Sequence, residues 1–243
     1  YGRSADNISD HRHVTSLLHR IKTTEYGVEV TPTLSFDERG HQKNNISYFV
    51  YGATGEEGKP QGFYPTVEDF IGEGGSFLIP EAVRTDKKVC LPGTEIQGKE
   101  AVGAIRFEKK TVKPGETISY IMLAGLTDRD NDINKLTKKY RTAIAVKEEL
   151  EAVKKHWIDK VNISFETGDS DVDNYLKWIC FQPELRRIYG CSFLPHHDYG
   201  KGGRGWRDLW QDCLALLIMD PTDVRRMIVN NYGGVRIDGT NAT

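Results

Sequence analysis

The spacing of the apolar residues changes once along this chain of 243 residues, close to Asp130. Before that point, apolar and polar residues alternate in short runs such as Ile46–Tyr51, and Gly and Pro separate the runs. From Ile133 to Trp157, apolar residues instead recur at roughly helical spacing, with Lys and Glu between them. A period of two is typical of half-buried strands, and a period of about 3.6 is typical of amphipathic helices. The sequence therefore predicts a multidomain chain with a β region followed by an α region.

The first region, residues 1–128, is predicted to be an antiparallel β-sandwich domain. Turn-forming residues follow several of its apolar runs, as at Asp37–Gly40 and Lys113–Glu116. Short strands separated by turns, without helices between them, favour an antiparallel sandwich. The predicted strands are 28–31, 34–36, 46–51, 101–107 and 118–124.

The second region divides into a helical linker, residues 129–160, and an α-helical segment, residues 161–243. One continuous helix is predicted from Ile133 to Trp157, with one packed face and one solvated face. Ser170–Asp173 has the pattern of a capping box that begins the next helix. Leu209–Met219 is strongly apolar and helical, and a further helix is predicted after Asp223.

Charge and composition exclude several classes of partner. The 33 Lys and Arg residues nearly balance the 35 Asp and Glu residues, so no basic field attracts nucleic acid. No apolar run approaches the ~18 residues of a transmembrane helix, and no signal-peptide pattern follows Tyr1. The four cysteines form no C-x-x-C pair, which favours a reducing compartment, and we expect a cytoplasmic protein. Because the chain lacks an initiator Met and stops just after a helical segment, we also expect an internal fragment.

The densest cluster of polar side chains lies between Pro195 and Asp212, where glycines allow the backbone to approach a ligand closely. Asp208 and Asp212 are four residues apart, as are Arg207 and Gln211, so each pair shares one face of a helix. Carboxylate, guanidinium and amide groups suit the hydroxyls of a sugar, and tryptophan faces suit its ring. A buried Arg–Asp network with a purely structural role explains the same spacing, and the spacing alone does not decide between the two.

Other kinds of site fit this segment less well. The glycine-rich run lacks the Ser or Thr that follows the lysine of a phosphate-binding loop, here Lys201. His196 and His197 are adjacent, so they point apart on an extended backbone, and no other metal-binding pattern supports them. We expect neither a metal nor another cofactor.

Arg207–Asp212, preceded by glycine-rich sequence, resembles the G-[FYW]-R-D-x-x-Q-D motif of glycoside hydrolase family 94. This family contains inverting glycoside phosphorylases, such as cellobiose phosphorylase and 1,2-β-oligoglucan phosphorylase. Segments Phe63–Pro65 and Gly74–Pro80 resemble parts of the family's supersandwich domain. The order of domains is similar too: a β-sandwich, a helical linker, and the first helices of an (α/α)6 toroid.

The resemblance implies phosphorolysis of a β-linked glucose oligosaccharide or disaccharide, with inorganic phosphate as co-substrate and α-glucose 1-phosphate as product. The family's catalytic acid, an Asp, would lie beyond Thr243, so we expect no catalytic residue in this chain and no activity without the remainder of the polypeptide. Members of the family often form homodimers.

Residue by residue, Asp208 matches the Asp that holds glucose in the family's −1 subsite. The arginine of the family's G-R-G segment is matched by Lys201 in pattern and by Arg204 in residue type, and we favour Arg204. The family's phosphate-binding S-R-S arginine has no match here, which leaves Arg186 or Arg187 as substitutes and favours a β-1,2-oligoglucan branch. The predicted substrate-binding residues are Lys201, Arg204, Trp206, Arg207, Asp208, Gln211 and Asp212.

The sequence is also compatible with other functions. The chain could be a non-catalytic carbohydrate-binding or scaffold module that uses residues 1–128. It could also come from a cellobiose or laminaribiose phosphorylase, or from a relative of the cyclic glucan synthases.

Overall fold

The computed structural model describes residues 14–37, 40–189 and 206–240. The chain divides into two compact units, Tyr1–Glu149 and Leu150–Thr243. The domain boundaries expected after residues 128 and 160 stay predictions. The strands of the first unit are β1 (Arg20–Thr23), β2 (Gly27–Val30), β3 (Leu34–Asp37), β4 (Gly40–Lys43), β5 (Ile46–Thr54), β6 (Gly62–Thr66), β7 (Glu95–Gln97), β8 (Ala101–Arg106) and β9 (Tyr120–Asp128).

An antiparallel sheet in the order β7-β1-β2-β5-β9 forms the centre of the first unit. The longest ladder joins β5 and β9, from the Ile46–Asp128 pair to the Thr54–Tyr120 pair. Two smaller antiparallel pairs, β3-β4 and β6-β8, accompany it. The antiparallel, sheet-rich first region predicted from the sequence is therefore confirmed.

The main apolar core of this unit joins the five-stranded sheet to the β6-β8 pair. Ile21, Val28 and Phe63 are each at most 2% exposed and pack together. A Cβ atom added at Gly103 of β8 would lie only 2.5 Å from Cβ of Val50 on β5. The close approach of the two layers therefore requires glycine at this position.

The opposite face of the sheet is covered by a short helix. The first unit contains α1 (Val67–Ile71), α2 (Glu81–Arg84), α3 (Ile133–Thr137) and a 3-10 turn at Lys138–Tyr140. Ile133 of α3 is 5% exposed and packs with Tyr26 and Tyr51 of the sheet. The two sheet faces thus carry separate apolar clusters.

The single helix predicted from Ile133 to Trp157 is wrong, because the chain turns at Arg141 and Thr142 before α4 (Ala143–Lys160) begins. The Arg141 guanidinium lies 3.6 Å from the ring centre of Tyr26, and its Nη2 donates to the carbonyl of Asn134 at 2.9 Å. The amide of Ala143 then donates to the carbonyl of Gly55 at 3.0 Å. These contacts with the sheet outweigh the continuous helical pattern.

The second unit contains the end of α4 followed by α5 (Ser170–Tyr189), α6 (Trp206–Met219) and α7 (Val224–Tyr232). Its core consists of Cys213, Leu216, Met219 and Val224. The capping box predicted at Ser170–Asp173 is shifted by one residue: Asp169 caps α5, and its carboxylate accepts from the amide of Asp171 at 2.9 Å. The carboxylate of Asp173 instead accepts from the amide of Thr167 at 2.9 Å.

Two adjacent leucines of α6 test this core. Leu216 is fully buried and Leu217 is 52% exposed. We expect Leu216→Ala to lower the free energy of unfolding of the second unit by about 2–5 kcal/mol, and Leu217→Ala by less than ~1 kcal/mol. All four tryptophans lie in this unit, so urea unfolding followed by tryptophan fluorescence measures its stability. Equal losses in the two variants would contradict the assigned core.

Candidate functional site

The first two turns of α6 carry most of the predicted sugar-binding residues. Arg207 and Gln211 are exposed, whereas Asp212 is buried, so the spacing of four places Arg207 and Gln211 on the outer side of the helix. Lys201 and Arg204 lie outside the described residues, and so do the side chains of Trp206 and Asp208. Their roles in binding stay predictions.

Asp212 occupies the apolar stripe of α6, one turn before Leu216. Only 1% of Asp212 is exposed, and a buried carboxylate without a partner is strongly unfavourable. Its Oδ1 accepts a short hydrogen bond from Nη1 of Arg186 on α5. The other guanidinium arm of Arg186 donates to Oε1 of Gln182, one turn earlier, at 3.0 Å. This charge pair fixes the middle of α6 against α5.

Arg187 takes part in a second network, at the corner between α6 and α7. Its Nη1 donates to Oδ2 of Asp220 at 3.1 Å, and its Nη2 donates to the Asp220 carbonyl at 2.6 Å. Lys160 at the end of α4 pairs with the same carboxylate. The Lys160 hydrogen bond, followed by that of Thr222, holds the pKa of Asp220 well below its usual range. Both arginines predicted as phosphate ligands are thus paired with carboxylates.

Two members of these networks, Glu184 and Asp220, were not among the residues predicted from the sequence. Glu184 is 3% exposed; its Oε2 lies 3.9 Å from Nε of Arg187, and its Oε1 accepts no hydrogen bond within the described ranges. Glu184 lies next to other charged residues of α5, such as Arg186 and Arg187, and such a run is typical of a solvated helix face. Its burial was therefore not predicted from the sequence. Asp220 was detectable in principle, because an Asp–Pro pair after an apolar helix is a typical turn signal.

Trp210 contributes packing to the second unit. Its ring meets that of Tyr232 on α7 edge to face, with ring centres 4.9 Å apart. The contact ties the middle of α6 to the end of α7, in an arrangement that favours aromatic pairs.

The part of the chain that the structure describes contains no group of three His, Cys, Asp or Glu side chains able to hold a metal ion. None of the helices described there is long and apolar enough to cross a membrane. Cys90, Cys180 and Cys213 are free thiols.

The first unit is similar to a known family of carbohydrate-related domains. Residues 10–143 match the family described as "Glycosyl hydrolase 94, supersandwich domain", so the first unit is a sandwich domain of a carbohydrate-related type. Because this match spans more than half of the 243 residues, the chain belongs to glycosyl hydrolase family 94. The family predicted from the motif at α6 is therefore confirmed by the opposite end of the chain.

One curated relative extends the similarity beyond the sandwich. The "Cyclic beta-(1,2)-glucan synthase NdvB" of Rhizobium meliloti (strain 1021) is 26% identical over 187 residues, which cover 75% of this chain. The chain spans only about 6% of the length of that relative.

The buried pair between Arg186 and Asp212 predicts that a single substitution strongly lowers the stability of the second unit. Asp212→Asn removes a buried charge and leaves Arg186 without its counter-ion, so we expect the free energy of unfolding to fall by about 3–5 kcal/mol. Asp223→Asn, which breaks an exposed pair with Arg226, should leave the stability nearly unchanged. Urea unfolding followed by tryptophan fluorescence compares the two variants. A loss below 1 kcal/mol in Asp212→Asn would show that the pair does not support the helices.

The lowered pKa of Asp220 predicts that its contribution to the stability of the fold depends on pH. Because its pKa is lower in the folded chain than the usual ~3.9, its contribution to stability is present above about pH 4 and is lost progressively below it. We therefore expect Asp220→Asn to be less stable than wild type at pH 7, with the difference shrinking as the pH falls from 4 to 2. Urea midpoints across this range measure the difference, and a gap that stays constant would contradict the assignment.

Proposed function

We propose that the protein containing this chain is an inverting β-glucoside phosphorylase. It transfers a glucosyl unit from a β-glucan or β-disaccharide to inorganic phosphate and releases α-glucose 1-phosphate. The observation that supports this proposal most directly is the R-D-x-x-Q-D sequence at the start of α6, in a chain of family 94. In the proposed architecture, residues 161–243 begin an (α/α)6 toroid, which the successive packing of α5, α6 and α7 favours.

In this proposal, the glucose ring lies at the N-terminal end of α6. Asp208 and Arg204, with Lys201 as the alternative to Arg204, hold the hydroxyls of the ring. Arg207 and Gln211 are exposed on one side of α6, where a guanidinium and an amide can add directional hydrogen bonds to the sugar. Asp212 acts as a positioning residue, because its pairing with Arg186 fixes the helix that carries the others.

The proposed reaction needs one acid. A phosphate oxygen forms the new bond to the anomeric carbon from the face opposite the glycosidic oxygen, and the bond to that oxygen breaks. A carboxylic acid donates its proton to the departing oxygen. Inverting glycosidases also need a carboxylate base to activate water, but phosphate is already an anionic nucleophile. We place the acid beyond Thr243, so the chain of 243 residues is expected to be inactive alone.

The linkage of the substrate, the location and the oligomeric state are further parts of the proposal. A β-1,2-glucan substrate is favoured because the relative found here is named for β-(1,2)-glucan synthesis. The same similarity favours, as a second candidate, a glucan synthase relative in place of a phosphorylase. We also propose a cytoplasmic location, which the scattered cysteines favour, and a homodimer, which the family resemblance suggests.

An activity assay tests the proposed function. The complete polypeptide is incubated with inorganic phosphate and β-1,2-, β-1,3- or β-1,4-linked glucose disaccharides, and glucose 1-phosphate is quantified. We expect phosphate-dependent release of glucose 1-phosphate, and we expect Asp208→Asn and Gln211→Leu each to lower kcat/KM about tenfold or more, because each removes a hydrogen bond to the sugar.

Asp171→Asn is the matched control, since Asp171 is exposed on α5 and outside the motif. Glucose release that does not depend on phosphate would replace the phosphorylase with a hydrolase, and chain extension without phosphate release would favour the synthase. Unchanged kinetics in a folded Asp208→Asn variant would exclude the proposed sugar site.

A further inference from the structure

A polar cleft of about 390 Å³ opens on the sheet face that α3 covers in part. It is built entirely from the first unit and contains none of the residues predicted to bind substrate. Its volume lies within the range of ~300–1,000 Å³ that small-molecule sites occupy. The side chains that provide most of its polar groups are Lys22, Glu29, Thr31, Ser47, Arg129 and Asn131.

Two opposite charges lie side by side on the sheet face of the cleft and form no salt bridge with each other. Lys22 on β1 and Glu29 on β2 are direct partners in the strand register, and both line the cleft. In the described ranges neither makes a salt bridge, although cross-strand pairs of opposite charge commonly do so. A cationic donor and an anionic acceptor are thus available side by side to a ligand.

A buried tyrosine on the neighbouring strand β5 holds the carboxylate of Glu29 in position. Tyr51 on β5 donates a short hydrogen bond to Oε1 of Glu29, and Tyr51 is only 2% exposed. Burial, followed by this hydrogen bond, raises the pKa of Tyr51 far above its usual value, so the phenol keeps its proton and acts as a donor. The bond uses one oxygen of Glu29 and leaves Oε2 to accept from a ligand.

Further hydroxyl and amide groups surround this pair. Ser47 lies on the same side of β5 as Tyr51 and lines the cleft although it is only 3% exposed. Arg129 closes one side, where its Nη2 donates to the carbonyl of Pro32 at 2.7 Å. Fixed donors and acceptors of this kind match the hydroxyls of a sugar.

The charges of the cleft argue against an anionic ligand. Two cations, Lys22 and Arg129, line it together with Glu29 and Asp132, while its third carboxylate, Glu25, pairs with Lys59 at 3.0 Å. The two signs of charge therefore balance, and an anion such as phosphate or a sugar phosphate meets no net positive charge. A neutral polyol needs no net charge and uses donors and acceptors equally well.

We propose that this cleft is a non-catalytic binding site for one or two neutral glucose units of a β-linked oligosaccharide. Lys22 donates to one hydroxyl, and Oε2 of Glu29 accepts from a neighbouring hydroxyl. The choice of glucose rests on the proposed function, whereas the preference for a neutral sugar rests on the cleft itself.

Isothermal titration of the 243-residue chain with β-1,2- and β-1,4-linked glucose disaccharides, and separately with glucose 1-phosphate, tests this site. We expect a disaccharide to bind and glucose 1-phosphate to bind at least tenfold more weakly. Glu29→Gln should raise the Kd about tenfold or more, because it replaces a charged acceptor. Lys22→Met, at an exposed position, should weaken binding and serves if Glu29→Gln fails to fold.

Glu68→Gln and Lys109→Met are matched controls on exposed residues outside the cleft, and both should bind like wild type. Absence of disaccharide binding, or wild-type affinity in both Glu29→Gln and Lys22→Met, would overturn the proposal. Binding lost in Asp208→Asn but kept in Glu29→Gln would also overturn it. If the Glu29-dependent binding exists but the complete polypeptide releases no glucose 1-phosphate, the cleft stands and only the proposed function fails.

Discussion

The burial of Asp212 is the constraint on which the arrangement of the second unit depends. A carboxylate with 1% of its surface exposed needs a cation close by, and Arg186 on α5 provides it. The pair holds the middle of α6 against α5, with Arg207 and Gln211 on the outer side of the helix. In the proposed phosphorylase, a charge pair that does not touch the sugar would therefore determine the direction in which the sugar-binding groups point.

In the first unit, one face of the central sheet carries the main apolar core, and the other face carries the cleft proposed to bind sugar. The face toward β6 and β8 is apolar and so closely packed that Gly103 cannot carry a side chain without displacing Val50. The other face combines buried tyrosines with Lys22 and Glu29, which form no salt bridge within the described ranges. The same strands form both surfaces, because successive residues of a strand point to opposite faces of the sheet.

Local patterns predicted much of this structure, and tertiary contacts explain the failures. Alternation in Ile46–Tyr51 indicated the central strand β5, and the motif at Arg207 indicated a family that the first unit confirms independently. The break at Arg141 was missed because its cause, the ring of Tyr26, lies on a distant part of the chain. The partner of Asp212 could not be found from spacing, and the alternation around Glu29 indicated only a strand at 28–31. The roles assigned to Lys201 and Arg204 stay predictions, since both residues lie outside the described ranges.

Arg141 also affects the cleft on the sheet. Its guanidinium rests on Tyr26 and donates to both the backbone carbonyl and the side-chain oxygen of Asn134, and Tyr26 and Asn134 each form part of the cleft wall. Widening the opening would require breaking these contacts together, so its aperture is set before any ligand arrives. A rigid aperture of this kind selects ligands by size and avoids the entropic cost of closing around them.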